Sequence, residues 1–104
     1  MTWSIIACDP ATGHIGIAVA TRFFAVGARV PHIAAGIGGI ATQALVNPYY
    51  GIDGVTLLRE GRSPREVIDT LIVADDGRES RQLHVMDIKG QIAAHTGRDC
   101  VDWC

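Results

Sequence analysis

Lysine is nearly missing from this chain: Lys89 is the only one. Nine basic residues face eleven acidic ones, for a net charge of −2, and neither sign forms a block. A nucleic-acid or polyanion partner would call for clustered Lys and Arg, so that class of function is excluded. Long apolar runs are missing as well. The start, Met1-Thr2-Trp3-Ser4, has no basic segment, and Asp9-Pro10 interrupts the first apolar run. Neither a signal peptide nor a transmembrane span is therefore expected, and the expected compartment is the cytoplasm. Cysteine is scarce: Cys8, Cys100 and Cys104 are too few and too unevenly spaced for a disulfide framework. Cys8 lies in an apolar run and reads as a reduced core residue. Cys100 and Cys104 have a spacing that two metal ligands could use, but no second pair accompanies them, so no metal site is expected. The 104 residues allow a single domain with one modest core.

What is present is a succession of short apolar runs punctuated by turn residues. Trp3–Cys8 and His14–Thr21 flank Asp9-Pro10-Ala11-Thr12-Gly13 and read as a β-hairpin. Both runs are almost continuously apolar, which points to strands covered on both faces. A second hairpin is expected from Ala28–Ala35 and Gly39–Leu45 around Gly36-Ile37-Gly38-Gly39. That glycine cluster is a turn and not a phosphate loop, since no Gly-Lys-Ser/Thr follows it.

The period then changes. Ile52, Val55, Leu57 and Leu58 fall on one face of a helix with Asp53 in its first turn and Arg59 in its last, ended by Gly61. A second helix opens with Ser63 as N-cap, Pro64 at its first position and Glu66 closing a capping box. Val67, Ile68, Leu71 and Ile72 form its apolar stripe, and Ala74-Asp75-Asp76-Gly77 ends it. Gln82–Asp87 and Gln91–His95 complete a third hairpin. The order ββ-ββ-αα-ββ gives an α+β fold with too few helices to cover all the apolar strand faces. A further segment or a partner chain is expected to complete the core.

Five blocks carry a family resemblance. They are Thr2–Asp9, Gly16–Ala28, Ala41–Gly51, Gly77–Leu83, and Ala94-His95-Thr96-Gly97 followed by Cys100 and Trp103. Together they resemble the N-terminal half of the domain-of-unknown-function 1028 family, Ntn-hydrolase-like proteins about twice this length. The resemblance implies a four-layer αββα sandwich, of which residues 1–104 would be the first, partial half. The missing half, or a second copy in a homo-oligomer, would be the partner. The ending at Cys104 then reads as a truncation or a processing point.

In Ntn hydrolases an N-terminal Thr, Ser or Cys attacks an amide carbonyl while its own α-amine takes the proton. Such an amine has a pKa near 7.7–8.0, and no cofactor is required. By resemblance, Thr2 becomes the nucleophile once Met1 is removed, and the substrate class is a small amide or peptide-like molecule. Ser4 shares the strand face of Thr2. Arg22, at the end of the second strand, is the cation expected nearby, able to orient a carboxylate but not to act as a base. Thr42 and Gln43 lie where backbone N–H groups would form the oxyanion hole, with Asn47 as a further donor or, equally, an Asx-turn residue. The lysine that tunes the amine in proteasome-like members is missing here, since Lys89 lies in a distal turn. That departure suits a non-catalytic binding or assembly module on the same fold.

Overall fold

A computed structural model describes residues 1–102 and Cys104. Trp103, one of the residues carrying the resemblance, lies outside the described residues. The first hairpin pairs β1 (Thr2–Asp9) with β2 (His14–Thr21), in register from Thr2↔Thr21 to Asp9↔His14. Asp9 builds its turn: one carboxylate oxygen accepts from the Ala11 N–H at 2.9 Å and the other from the Thr12 hydroxyl at 2.9 Å. Gly13 closes the turn at φ +73°, a conformation that costs glycine little.

Strand β3 is shorter than expected, Pro31–Ala34 rather than Ala28–Ala35. Ala25 takes a left-handed φ of 57°, and a single 3-10 turn over Val26–Ala28 takes up Ala28, the first residue of that apolar run. Pro31, with no N–H to give, then starts an edge strand. Its partner β4 spans Gly38–Ala44. Gly38 belongs to the strand and not to the turn: a Cβ there would press on the Met86 carbonyl at 2.6 Å and on Leu58 at 2.9 Å.

Helix α1 spans Tyr49–Arg59 and starts earlier than its periodicity suggested, so Asp53 lies beyond its first turn. The Asn47 side-chain oxygen accepts from the Tyr49 N–H at 3.1 Å, an Asx turn leading into the helix. Its buried face is Tyr50, Gly51, Gly54, Val55 and Leu58, while Ile52 is 55% exposed. Gly51 and Gly54 set that face, because only hydrogen fits against the His32 ring and Ile40. Helix α2 (Pro64–Val73) has the expected capping box: Glu66 accepts from the Ser63 N–H at 2.8 Å, and the Ser63 hydroxyl accepts from the Glu66 N–H. Val67, Ile68 and Leu71 are buried and Ile72 packs beside them.

Strands β5 (Arg81–Asp87) and β6 (Ile92–Thr96) complete an antiparallel sheet of order β3-β4-β5-β6, separate from the β1-β2 hairpin. The molecule is thus α+β with two antiparallel sheets. Alternation along β4 and β5 sorts the side chains into two cores. Ile40, Leu83 and Val85 face the two helices, together with Ala93 of β6. Ala41 and Met86 face the hairpin, where Ile6, Ile15, Ile17 and Val19 meet them. The layers run helices, four-stranded sheet, hairpin. The hairpin's outer face, with Trp3 65% and Ile5 63% exposed beside exposed Ala18 and Ala20, remains open. Among the described residues no helix is long and apolar enough to cross a membrane.

Candidate functional site

Thr2 stands at the head of β1 on the face that looks at the larger sheet. Its hydroxyl donates to Thr21 Oγ1 at 3.1 Å, and the Thr21 hydroxyl donates to the Met1 carbonyl at 3.0 Å. A cleft of about 410 Å³ opens here, lined by Met1, Thr2 and Gln43, by Phe23 and Arg29 from the loop after β2, and by Asp99 near the chain end.

Gln43 is the buried centre of the arrangement, only 5% exposed. Its amide nitrogen donates to the Thr2 carbonyl at 3.1 Å and to Gln82 Oε1. Both amide hydrogens are thereby used, so its oxygen must be the acceptor facing Ser4, 2.6 Å from Ser4 Oγ. Ser4 spends its single hydroxyl proton there. His84 Nε2, 2.9 Å from Ser4 Oγ, can then only be the donor in that contact. Burial pushes the His84 pKa below its ordinary value, which favours the neutral ring, and the Ser4 contact then places the ring's proton on Nε2. The chain of donors runs in one direction, His84 to Ser4 to Gln43 to the Thr2 carbonyl, with Gln82 passing on to Thr96 Oγ1 at 3.1 Å. Ser4 and His84 look like a nucleophile and its base, but the proton order is opposite to what that chemistry needs. The network fixes the backbone of Thr2.

Of the residues singled out in the sequence, the fold brings Thr2, Ser4 and Gln43 together. It places three others elsewhere. Thr42 is fully buried on the helix side of β4; its hydroxyl donates to the Asn47 carbonyl at 3.3 Å and its N–H to the Val30 carbonyl at 3.1 Å. Asn47 donates to the Asp75 carboxylate at 3.3 Å and lines a different cavity, between α1 and α2. Arg22 is exposed in the bend after β2 and is not among the described residues lining the Thr2 cleft. Arg29 supplies the cation instead, its guanidinium 5.6 Å from the centre of the Phe23 ring. Sequence reading missed Thr21, Gln82, His84 and Arg29. The first three are placed only by strand register, which sets Thr21 opposite Thr2 and Gln82 opposite Gln43, with His84 two residues along the same face.

A second polar cluster lies beneath the start of α1. Asp75 accepts from the Gly77 N–H (2.8 Å), the Tyr50 hydroxyl (2.8 Å), Arg81 Nε (3.0 Å) and Asn47. The Arg81 hydrogen bond holds the Asp75 carboxyl well below the usual range, against the effect of burial. Burial and the Asp75 carboxylate push the Tyr50 hydroxyl well above its ordinary value. Four donors occupy this carboxylate, so it ties α1 to the β5 entry and has little left for a ligand. Among the described residues no group of three or more His, Cys, Asp and Glu side chains is gathered as a metal site.

An α+β domain with paired helices on one face of its main sheet and a hairpin on the other defines the class. The model of the family of unknown function DUF1028 matches residues 2–104, and the chain belongs to that family. The crystal structure of protein SPO2555 from Silicibacter pomeroyi, also assigned to DUF1028, is similar to it at 38% identity with a TM-score of 0.93. That similarity covers 98% of this chain and 46% of the other, so this chain spans less than half of that protein's length. No curated protein matches.

Proposed function

We propose that the chain is the first half of a four-layer αββα sandwich of the Ntn-hydrolase type, and that it cleaves a small amide or peptide-like substrate with Thr2 as nucleophile. The observation that carries this reading is the buried Gln43 amide pinning the Thr2 carbonyl beside the cleft. A strand-end residue without a task is free to fray; this one is held by its own backbone. With Met1 in place the Thr2 nitrogen is an amide and cannot accept a proton. Removal of Met1 turns it into an amine of pKa near 7.7–8.0, next to a hydroxyl and facing the cleft. Arg29 contributes a permanent positive charge to that cleft, suited to an anionic group on the substrate or to the developing oxyanion.

The open outer face of the hairpin is where the rest of a longer chain, or a second copy, packs. The greater length of the similar Silicibacter pomeroyi chain favours the former. Intact mass of the full-length protein, with turnover of a panel of small amides by wild type, Thr2→Ser and Thr2→Ala, tests the reading. Loss of Met1, activity in Thr2→Ser and none in Thr2→Ala are expected. Met1 retained on every molecule, or turnover that survives Thr2→Ala, would remove Thr2 from the chemistry. A non-catalytic binding or assembly module is the second reading. It is favoured by Lys89 lying in the turn between β5 and β6, among residues that do not line the Thr2 cleft.

A further inference from the structure

We infer that Thr21 is a proton relay between the Thr2 hydroxyl and the Thr2 α-amine, an assignment that rests on Thr2 being the nucleophile. The geometry starts from β-sheet register. Thr2 and Thr21 are directly paired across the hairpin, so their side chains share one face and their hydroxyls meet at 3.1 Å. Thr21 Oγ1 accepts from the Thr2 hydroxyl and from the Phe23 N–H at 3.3 Å, which together occupy its two lone pairs. Its own proton points to the Met1 carbonyl at 3.0 Å. Removing Met1 takes that acceptor away. The nitrogen of Thr2 is bonded to the same carbon as the lost oxygen and lies about 2.2 Å from it. The Thr21 proton therefore turns to the new amine, the one acceptor released in its place.

This arrangement solves a problem of reach. A threonine hydroxyl and its own α-amine are joined by a short, stiff stem, and a direct hydrogen bond between them is strained well away from linearity. A second hydroxyl bridging them lets both transfers run nearly straight. As Thr2 Oγ1 attacks the substrate carbonyl carbon, its O–H electron pair is freed to reinforce the new C–O bond. The Thr2 proton passes to Thr21 Oγ1 while the Thr21 proton passes to the amine lone pair, and the carbonyl π pair moves onto oxygen. When the intermediate collapses, the ammonium returns a proton through Thr21 to the leaving nitrogen, and the scissile C–N bond breaks. Thr21 ends each half-reaction as it began. The acyl ester on Thr2 is then open to water by the same route.

The test uses full-length protein confirmed by intact mass to lack Met1, with a β-lactone as acylating probe and mass spectrometry to follow acyl-Thr2. Wild type, Thr21→Val and Thr21→Ser are compared from pH 6 to pH 9. Loss of a positioned acid–base group costs on the order of 100-fold, so Thr21→Val should acylate that much more slowly. Thr21→Ser should recover to within several-fold of wild type. The wild-type rate should level off above the amine pKa, whereas in Thr21→Val it should keep rising with hydroxide. A valine variant that labels at the wild-type rate, or a serine variant as slow as valine, would overturn the relay and leave Thr2 as nucleophile. Failure of Met1-free wild type to acylate at Thr2 would overturn the nucleophile, and the relay with it.

Discussion

Replacing Gln43 with Ala should unfasten β1 from the larger sheet and cost about 3 kcal/mol. Gln43 is 5% exposed and satisfies three partners at once: the Ser4 hydroxyl at 2.6 Å, the Thr2 carbonyl at 3.1 Å and the Gln82 side-chain oxygen. An unsatisfied buried polar group costs roughly 1–3 kcal/mol. Thr2, Ser4 and Gln82 are only half-buried, so water reaches each of them in part and the lower end applies to each. Against a typical domain stability of roughly 5–15 kcal/mol that is a large fraction. Urea unfolding measured by fluorescence and by far-UV circular dichroism reads it as a shift in midpoint at unchanged slope. Two further variants locate the effect. Gln43→Glu keeps the volume but cannot donate when ionised, so at neutral pH it should cost at least as much as Ala. Ser4→Ala combined with Gln43→Ala should cost less than the sum of the two, with coupling of about 0.5–3 kcal/mol. A loss below about 1 kcal/mol for Gln43→Ala, or strict additivity with Ser4→Ala, would show that the donor chain does not hold the N-terminal strand.

Burial lowers the His84 pKa in the folded state, so the unfolded chain binds that proton more readily. Its contribution is whole above pH about 6.5 and is lost as pH falls through the folded value; His84→Gln should flatten the decline in urea midpoint between pH 7 and 5, and an unchanged decline would refute the assignment. Gly51→Ala would gain about 1 kcal/mol from helix propensity alone, but its Cβ meets the His32 ring. The expected result is therefore a net loss of about 1–3 kcal/mol from overpacking, and a thermal melt showing stabilisation would contradict that packing. Ser63→Ala should cost about 0.5–2 kcal/mol through the lost cap, checked by urea unfolding, and should leave Thr2 acylation unchanged. The isolated 104-residue chain should self-associate through the open hairpin face, and Trp3→Glu with Ile5→Glu should return it to monomer in light scattering; a concentration-independent wild-type monomer would show that this face needs no cover.

Elements whose signals are local could be read directly from the chain. The Ser63-Pro64-Arg65-Glu66 box closes within four residues, and the Asp9–Gly13 turn within five, so neither depends on the rest of the fold. The stripe of Val67, Ile68 and Leu71 is a matter of period. The face of α1 was not legible in that way, since hydrophobicity nominates Ile52 while the packing chooses the glycines. A helix resting on a sheet at close range needs the smallest residues where the backbones meet, and no periodicity of apolar side chains records that.

The same division runs through the candidate site. Thr2 and Ser4 share a face because a strand alternates, and that much follows from sequence alone. Thr21 reaches Thr2 because β2 turns back on β1, Gln82 reaches Gln43 because β5 lies beside β4, and His84 reaches Ser4 because the hairpin stacks on that sheet, contacts between residues nineteen, thirty-nine and eighty positions apart. Thr42 and Gln43 show the limit most sharply. They are neighbours in the chain and the side chains of both are buried, yet one faces the helices and the other the Thr2 carbonyl. Sequence determined which residues carry hydrogen-bonding groups and which strand faces they occupy. Which face looks at which partner was decided by the stacking of the hairpin on the four-stranded sheet, since that stacking packs Ile17 against the buried Ile6 and Ala41 and carries Gln43 to Thr2 in the same register.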